Sequence, residues 1–436
     1  MAEIVLHEYP EFRERYYEIK RAGLPVIYLI PKKRAAFYAT LRVGVGSYDR
    51  FYRDGDRLVP VLPGCAHFLE HKLFANPDGS DAMETMRDLG ADANAYTTGT
   101  STCYLFSCRE NFAASLCELL SFVSTPFFTK GNVEVEKRII LQEAAMHADS
   151  PSTRLYRGFL RQLYRNHPIR DEIVGTPGSI NRITPSHLLR VYRAFYHADN
   201  MQLFIAGDLS PDEVLSALEG VSLPLSDGFG RVVPSYEPGA VASSVRTYRG
   251  RVNKPLFAVS LGIPEPTGTP EEKHRRMLAV SIGNAYLFSD SGALYTALRE
   301  ENLMTAPPNC YAEWNPGVAY ISVTGESARP RKVYGMIREA VEKTLSCGID
   351  DADVRRLLRA EYAEDVSTFD DAEGLTDAFA TLIPEGIDPY RAAGLFKTLS
   401  PDYVNSVLRE VWSTDRLILT VVRPGKRDCN ESEDEE

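Results

Sequence analysis

Hydrophobic and polar positions alternate with changing period along the chain. Leu24–Ile30 and Ala36–Val45 are dense in β-branched and aromatic residues and predict strands. Apolar residues recurring every three to four positions predict helices over about 64–76, 81–89, 111–124, 132–148, 152–165 and 185–196. Met201–Gly207 reads as another strand. It leads to Ser210-Pro211, a good N-cap followed by a proline that suits a first helical turn. In the second half, a strand at about 255–263 precedes helices near 270–288 and 292–302. Strands near 309–324, helices near 329–346 and 350–383 and a last strand, Leu417–Val422, follow. Helices and strands mix without strict alternation. This predicts an α+β fold of two homologous, sandwich-like halves, each a mixed, mostly antiparallel sheet flanked by helices.

The two-half reading has a sequence basis. Thr184-Pro185 opens a helical pattern carrying Arg193, then Asp199 and the strand around Leu203 and Ile205. Shifted by 216 positions without a gap, Ser400-Pro401, Arg409, Asp415, Leu419 and Val421 repeat it. Between the halves, residues 223–245 are rich in Pro, Gly and Ser. The expected domains are therefore 1–222, a linker over 223–245, and 246–425. Residues 426–436 form an acidic tail that reads as solvated and disordered.

Charge and cysteine usage narrow the classes. Lys and Arg total 49 against 60 Asp and Glu, a formal charge of −11, which argues against nucleic acid or an anionic membrane as the main partner. No apolar run approaches membrane-spanning length, and acidic residues occupy the start where a signal peptide needs an apolar core. The seven cysteines are scattered without a CxxC pair, as expected of reduced thiols in a cytoplasmic protein.

The chemistry concentrates in His67-Phe-Leu-Glu-His71. On a helix, residues four apart project from one face, so the two imidazoles can share a metal ion. Glu70 stands on the flank of that face, within reach of a water on the metal. This is the inverted zinc-protease signature H-x-x-E-H. Composition alone gives about 0.02 occurrences of a His-x-x-acid-His match in such a chain. The plain alternative is a helix with two surface histidines. Catalytic zinc needs a third protein ligand, and Glu136 and Glu143, seven residues apart and nearly on one face of the next long helix, are candidates. Ile139, Ile140 and Ala144 suggest that this face packs inward. His147 sits near the helix's polar end and reads as exposed.

These residues, with Gly90-Ala-Asp-Ala-Asn94-Ala95-Tyr-Thr-Thr, His167-Pro-Ile-Arg, Gly175-Thr and the stretch from Phe195 to Asp208, resemble the pitrilysin or insulinase family of inverzincins. The likeness is to its short branch, which includes the mitochondrial processing peptidase and bacterial relatives. The resemblance implies that His67, His71 and Glu143 bind Zn2+, that Glu70 is the general base toward zinc-bound water, and that Glu136 supports the site from behind. It implies an edge strand at Asn94 and Ala95 onto which an extended peptide adds, a mode that needs main-chain hydrogen bonds and little sequence. Asn94 is equally open to a turn role after Gly90. Ser291–Leu303 resembles the family segment that places an Arg and a Tyr near the scissile peptide. Arg299 is present there, but Thr305 stands where the Tyr is usual, leaving Tyr311 or a partner subunit to replace it. Arg299 also fits a helix-surface residue among glutamates.

The implied activity is zinc-dependent endopeptidase chemistry on peptides or a precursor's leader, inside a closed chamber. The working form would be a homodimer or a heterodimer with a homologous subunit. Two readings compete: a non-catalytic homologous subunit of a heterodimeric peptidase, and a metal enzyme acting on a non-peptide amide.

Overall fold

The computed structural model describes residues 2–33, 36–226, 229–232 and 244–425. The centre of the expected linker, 233–243, and the 426–436 tail lie outside these residues. The chain forms two compact units that interleave along the sequence. One comprises Met1–Ala144, Asp171–Pro234 and Val366–Arg391; the other comprises Ala145–Arg170, Ser235–Asp365 and Ala392–Glu436.

The first unit holds β1 (Glu3–Tyr9), β2 (Glu14–Lys20), β3 (Val26–Pro31), β4 (Phe37–Val43), β5 (Phe51–Asp54), β6 (Arg57–Pro60), β7 (Asp92–Thr97), β8 (Thr102–Cys108), β9 (Met201–Gly207) and β10 (Phe229–Arg231). Seven of these form a sheet in the order β1-β2-β3-β9-β4-β8-β7, antiparallel except where β3 runs beside β9. The second unit holds β11 (Val245–Gly250), β12 (Leu256–Gly262), β13 (Asn309–Asn315), β14 (Val318–Glu326) and β15 (Ile418–Pro424), in the order β11-β15-β12-β14-β13. Here too one pair, β11 and β15, is parallel. The ladder β3-β9-β4-β8-β7 is thus repeated, strand for strand and direction for direction. The repeated helices confirm the 216-residue offset. Pro185–Phe195 is capped by Thr184 and Pro401–Val411 by Ser400, each side chain accepting an amide hydrogen from the first turn.

Each sheet is covered on both faces, which explains apolar runs such as Leu203–Ala206 that do not alternate. In the first unit, Leu29, Leu41, Tyr104, Phe106 and Ile205 face a core with Phe68, Leu69, Leu119 and Phe195. The opposite face carries Tyr16, Tyr28 and Phe204. It is closed by the helix Ala372–Leu382, whose Phe379 meets Tyr16 edge-on at 5.1 Å. Full burial of that one ring contributes roughly 2–3 kcal/mol.

In the second unit the equivalent cover comes from the helix Pro151–Leu163. Phe159 lies on Tyr320, and Gln162 bonds to Thr420. A Cβ on Gly158 would come within 2.6 Å of Tyr248 and 2.9 Å of Thr420, so glycine allows this helix to sit close to its sheet. Each half of the sequence therefore contributes one helix to the other half's unit.

Two local expectations need correction. The helix expected over 350–383 is two helices, Asp351–Ser367 and Ala372–Leu382. They are separated by a turn at Thr368–Asp370, after which the Asp371 carboxylate caps Gly374 N–H. The stretch read as linker begins ordered: Leu223 is buried, and β10 pairs with β5.

Candidate metal centre

The helix Cys65–Leu73 starts where two glycines pack backbone to backbone. Gly64 (φ +89°) and Gly175 (φ +86°) both take left-handed conformations. A Cβ on Gly64 would lie 2.6 Å from the Val174 carbonyl, and one on Gly175 would lie 2.8 Å from that of Pro63. From this anchor, Cys65, Phe68, Leu69 and Leu73 point into the core. The same helical period turns His67, Glu70 and His71 to the opposite face, toward the helix Lys130–Asp149. His67 and Glu70 are buried and His71 is partly so.

The His67 and His71 rings lie 4.6 Å apart. Their Nε2 atoms both face Glu143, His67 at 3.4 Å from Oε1 and His71 at 3.6 Å from Oε2. These separations are long for hydrogen bonds. They match the edge of a tetrahedron around zinc, which is about 3.4 Å when each donor stands 2.0–2.1 Å from the ion. Behind them, His71 Nδ1 lies 3.1 Å from Glu136 Oε1, and the buried Lys72 ammonium stands 3.6 Å from Glu136 Oε2. The buried Nδ1 of His67 has no hydrogen-bond partner. That nitrogen lies on the ring's other side from Nε2, the atom turned toward Glu143. The donor set of two imidazoles and one carboxylate suits zinc.

Burial disfavours a charge on His71, but the hydrogen bond to Glu136 and the nearby Glu136, Glu70 and Glu143 carboxylates outweigh it and raise its pKa. Burial pushes the Glu136 carboxyl upward, yet His71 and Lys72 outweigh that and hold it below the ordinary glutamate value. Fixing His71 through Nδ1 turns its Nε2 toward Glu143, the arrangement a carboxylate imposes on a histidine ligand in zinc sites.

Glu70 belongs to the same cluster, within 4.8 Å of the two histidines. Its Oε2 accepts a 2.6 Å hydrogen bond from Thr97 Oγ1, at the end of β7. That occupies one oxygen and leaves the other for a proton.

Of the other residues singled out from sequence, Asn94 and Ala95 lie on β7, the edge strand of the first sheet. Asn94 is exposed, its Oδ1 accepting the Ala95 amide hydrogen at 2.9 Å. Arg299 is exposed in the last turn of Ala293–Glu300 and belongs to the second unit. Thr305 is exposed, and its carbonyl accepts from Tyr295 OH at 3.2 Å; Tyr311 is half-buried on β13. On the long helix, Ile140 and Ala144 are buried as expected, but Ile139 is 48% exposed, so the inward face is narrower than its three apolar residues suggest. His147 is exposed. Sequence reasoning passed over Lys72 and Thr97. The signal for Thr97 was parity: with Ala93 and Ala95 it forms the small-residue side of β7, where a lone hydroxyl stands out.

Comparison with known proteins places this geometry. Residues 59–177, which contain the whole cluster, match the family model "Insulinase (Peptidase family M16)", and residues 182–361 match "Peptidase M16 inactive domain". An uncharacterized zinc protease of Bacillus subtilis, YmfH, is 35% identical over 74% of this chain and 77% of its own length. An uncharacterized zinc protease of Mycobacterium leprae is 28% identical over 59% of this chain, an alignment covering 57% of that protein. A crystal structure of an M16-like peptidase from Alicyclobacillus acidocaldarius superposes with a TM-score of 0.88 at 28% identity, over 94% of this chain and 98% of that one. Among the described residues no helix is long and apolar enough to cross a membrane.

Proposed function

The chain belongs to the insulinase peptidases, family M16, and from that premise we propose that it is a zinc-dependent endopeptidase with Glu70 as its general base. The observation that carries the reading is the convergence of His67 Nε2 and His71 Nε2 on the Glu143 carboxylate, with Glu70 beside them and held by Thr97. His67, His71 and Glu143 would hold the ion. Bound there, zinc supplies Lewis acidity toward the scissile carbonyl and makes water a nucleophile at neutral pH.

The chain's own residues do the rest. Glu136 fixes the His71 ring and Lys72 balances the charge of Glu136. Glu70 takes the proton of the attacking water and returns it to the leaving amine. The free edge of β7 beyond Asn94 and Ala95 offers main-chain donors and acceptors to an extended peptide. Arg299, on the helix Ala293–Glu300, is assigned to substrate binding. The substrate is a small peptide or the leader of a precursor. The working form is a cytoplasmic dimer, of two copies or of this chain with a homologous subunit, that encloses the peptide. The competing reading, a non-catalytic subunit, is disfavoured by a cluster that keeps both histidines, both carboxylates of the long helix and the base.

The test is Glu70→Gln assayed for zinc content and for cleavage of an unbiased peptide mixture. Zinc should be retained and turnover should fall by at least about 100-fold. Turnover at the wild-type rate in the variant would remove Glu70 from the mechanism.

A further inference from the structure

Glu70 is held by a hydroxyl, and that hydroxyl is the first of four. Thr97 Oγ1 lies 3.5 Å from Thr102 Oγ1, its register partner on β8. Thr102 is fully buried and donates its one proton to the Val45 carbonyl at 2.9 Å. Tyr196 faces the Thr102 hydroxyl and shares a 2.9 Å hydrogen bond with Tyr104. Tyr104 and Tyr196 are both essentially inaccessible to solvent. Thr97 donates its own proton to Glu70 at 2.6 Å, and with the Thr102 proton given to Val45 the longer Thr97–Thr102 contact is a packing contact between hydroxyls.

The repeated ladder provides an internal control. The 216-residue offset places Leu419 at the position of Leu203 and Trp412 at that of Tyr196. Leu41 faces Leu203 and Tyr104, while Val259 faces Leu419 and Val323, so Val323 occupies the position of Tyr104. One step further along the same registers, Ile321 stands for Thr102, and Ala312, facing Ile321, stands for Thr97. All four hydroxyl positions of the first unit are occupied in the second by side chains that lack a hydroxyl, and Ile321, Val323 and Trp412 are buried there. The sheet packs without the hydroxyls. Burying one without full pairing costs roughly 1–3 kcal/mol, so their presence beside Glu70 calls for a cause other than packing.

We propose that Thr97 is the positioning residue of Glu70, held in place by its pairing with Thr102 in the β7–β8 ladder, with the buried hydroxyls of Thr102, Tyr196 and Tyr104 forming the polar surroundings behind it. The proposal rests on the reading of Glu70 as general base. Thr97 touches no reacting atom. It fixes the rotamer of the carboxylate, engaging Oε2 so that the other oxygen meets the water. It also ties the base to the strand whose edge is assigned to the peptide.

Thr97→Val removes the hydroxyl at nearly constant shape, and Thr97→Ser keeps it. In peptide cleavage, Thr97→Val should lower kcat on the order of 100-fold with KM and zinc content unchanged, and Thr97→Ser should recover most of the rate. In a Glu70→Gln background, Thr97→Val should cost nothing further, because the group it serves is gone. A crystal structure of metal-free Thr97→Val should show the Glu70 carboxylate in more than one orientation, where the metal-free wild type shows one.

An unchanged kcat, an equal loss in the Glu70→Gln background, or a single unchanged Glu70 orientation would overturn the proposal. Should the wild type show no Glu70-dependent cleavage, the peptidase reading fails, and the crystallographic comparison decides the role of Thr97 by itself.

Discussion

The two units contain the same five-stranded ladder with opposite treatments of their histidines. In the first, nine residues of helix between β4 and β7 carry His67 and His71 among carboxylates, and His71 is raised above the ordinary histidine pKa once Glu136, Glu70 and Glu143 outweigh its burial. In the second, nineteen residues of helix between β12 and β13 bury Ala279, Val280, Ile282 and Leu287. Their histidine, His274, is pushed down to about 4 by burial. The architecture is common to both, so chemistry was not a requirement of the fold. What differs is a short helix that starts at a glycine contact, carboxylates from the second helix after the β7–β8 hairpin, and hydroxyls where the second unit has Ala312, Ile321, Val323 and Trp412.

The comparison breaks most plainly at the metal. His67→Ala should lose zinc and cleavage together, while His274→Ala should leave about one zinc per chain, both read by metal analysis of purified protein. Zinc retained by the first variant would show that the ion lies elsewhere. A smaller effect is expected one layer out. Glu136→Gln should weaken zinc about 10- to 100-fold in a chelator competition, because His71 loses the carboxylate that orients its ring.

The smallest effect concerns acid stability, where the two histidines carry opposite signs. For His274 the folded value lies below the unfolded one of about 6.5. The unfolded chain therefore takes up a proton first, and stability present above that value is lost as pH falls toward 4. In metal-free protein, His71 acts the other way. Its contribution is complete below the unfolded value and lost as pH rises through the raised one. Melting temperatures of metal-free His274→Gln and His71→Gln between pH 5 and 8 should depart from the wild type in opposite directions. Parallel curves would contradict this assignment of signs.

Much of this could be read from sequence because it is local. His67, Glu70 and His71 are fixed by one helical turn, and the caps at Thr184, Ser210 and Ser400 act within three residues. The duplication was visible because its helix and strand keep a gapless offset. What escaped is what depends on distant partners. No local pattern says that Pro151–Leu163 covers one sheet and Ala372–Leu382 the other, since an amphipathic helix does not record which surface it meets. The strands β1 and β2 escape the pattern because neither alternates: in β1 the apolar Ile4, Val5 and Leu6 are consecutive and exposed, and in β2 the buried Tyr16 and Ile19 are three apart. Thr97 was hidden for a similar reason. Its role is set by Glu70, twenty-seven residues away, and a threonine in a strand needs no explanation until its proton is traced.

The exchanged helices have a consequence for synthesis and fragmentation. As the chain emerges from the ribosome, Tyr16, Tyr28 and Phe204 are complete long before Phe379 exists to shield them. Until residues 372–382 are made, that face of the first sheet lacks the helix that covers it. A protein ending near residue 226 would contain the whole cluster from His67 to Glu143 and still lack the helix that closes its own core. Cutting this gene at its midpoint would not separate an active half from a passive one; it would give two halves, each missing a piece held by the other.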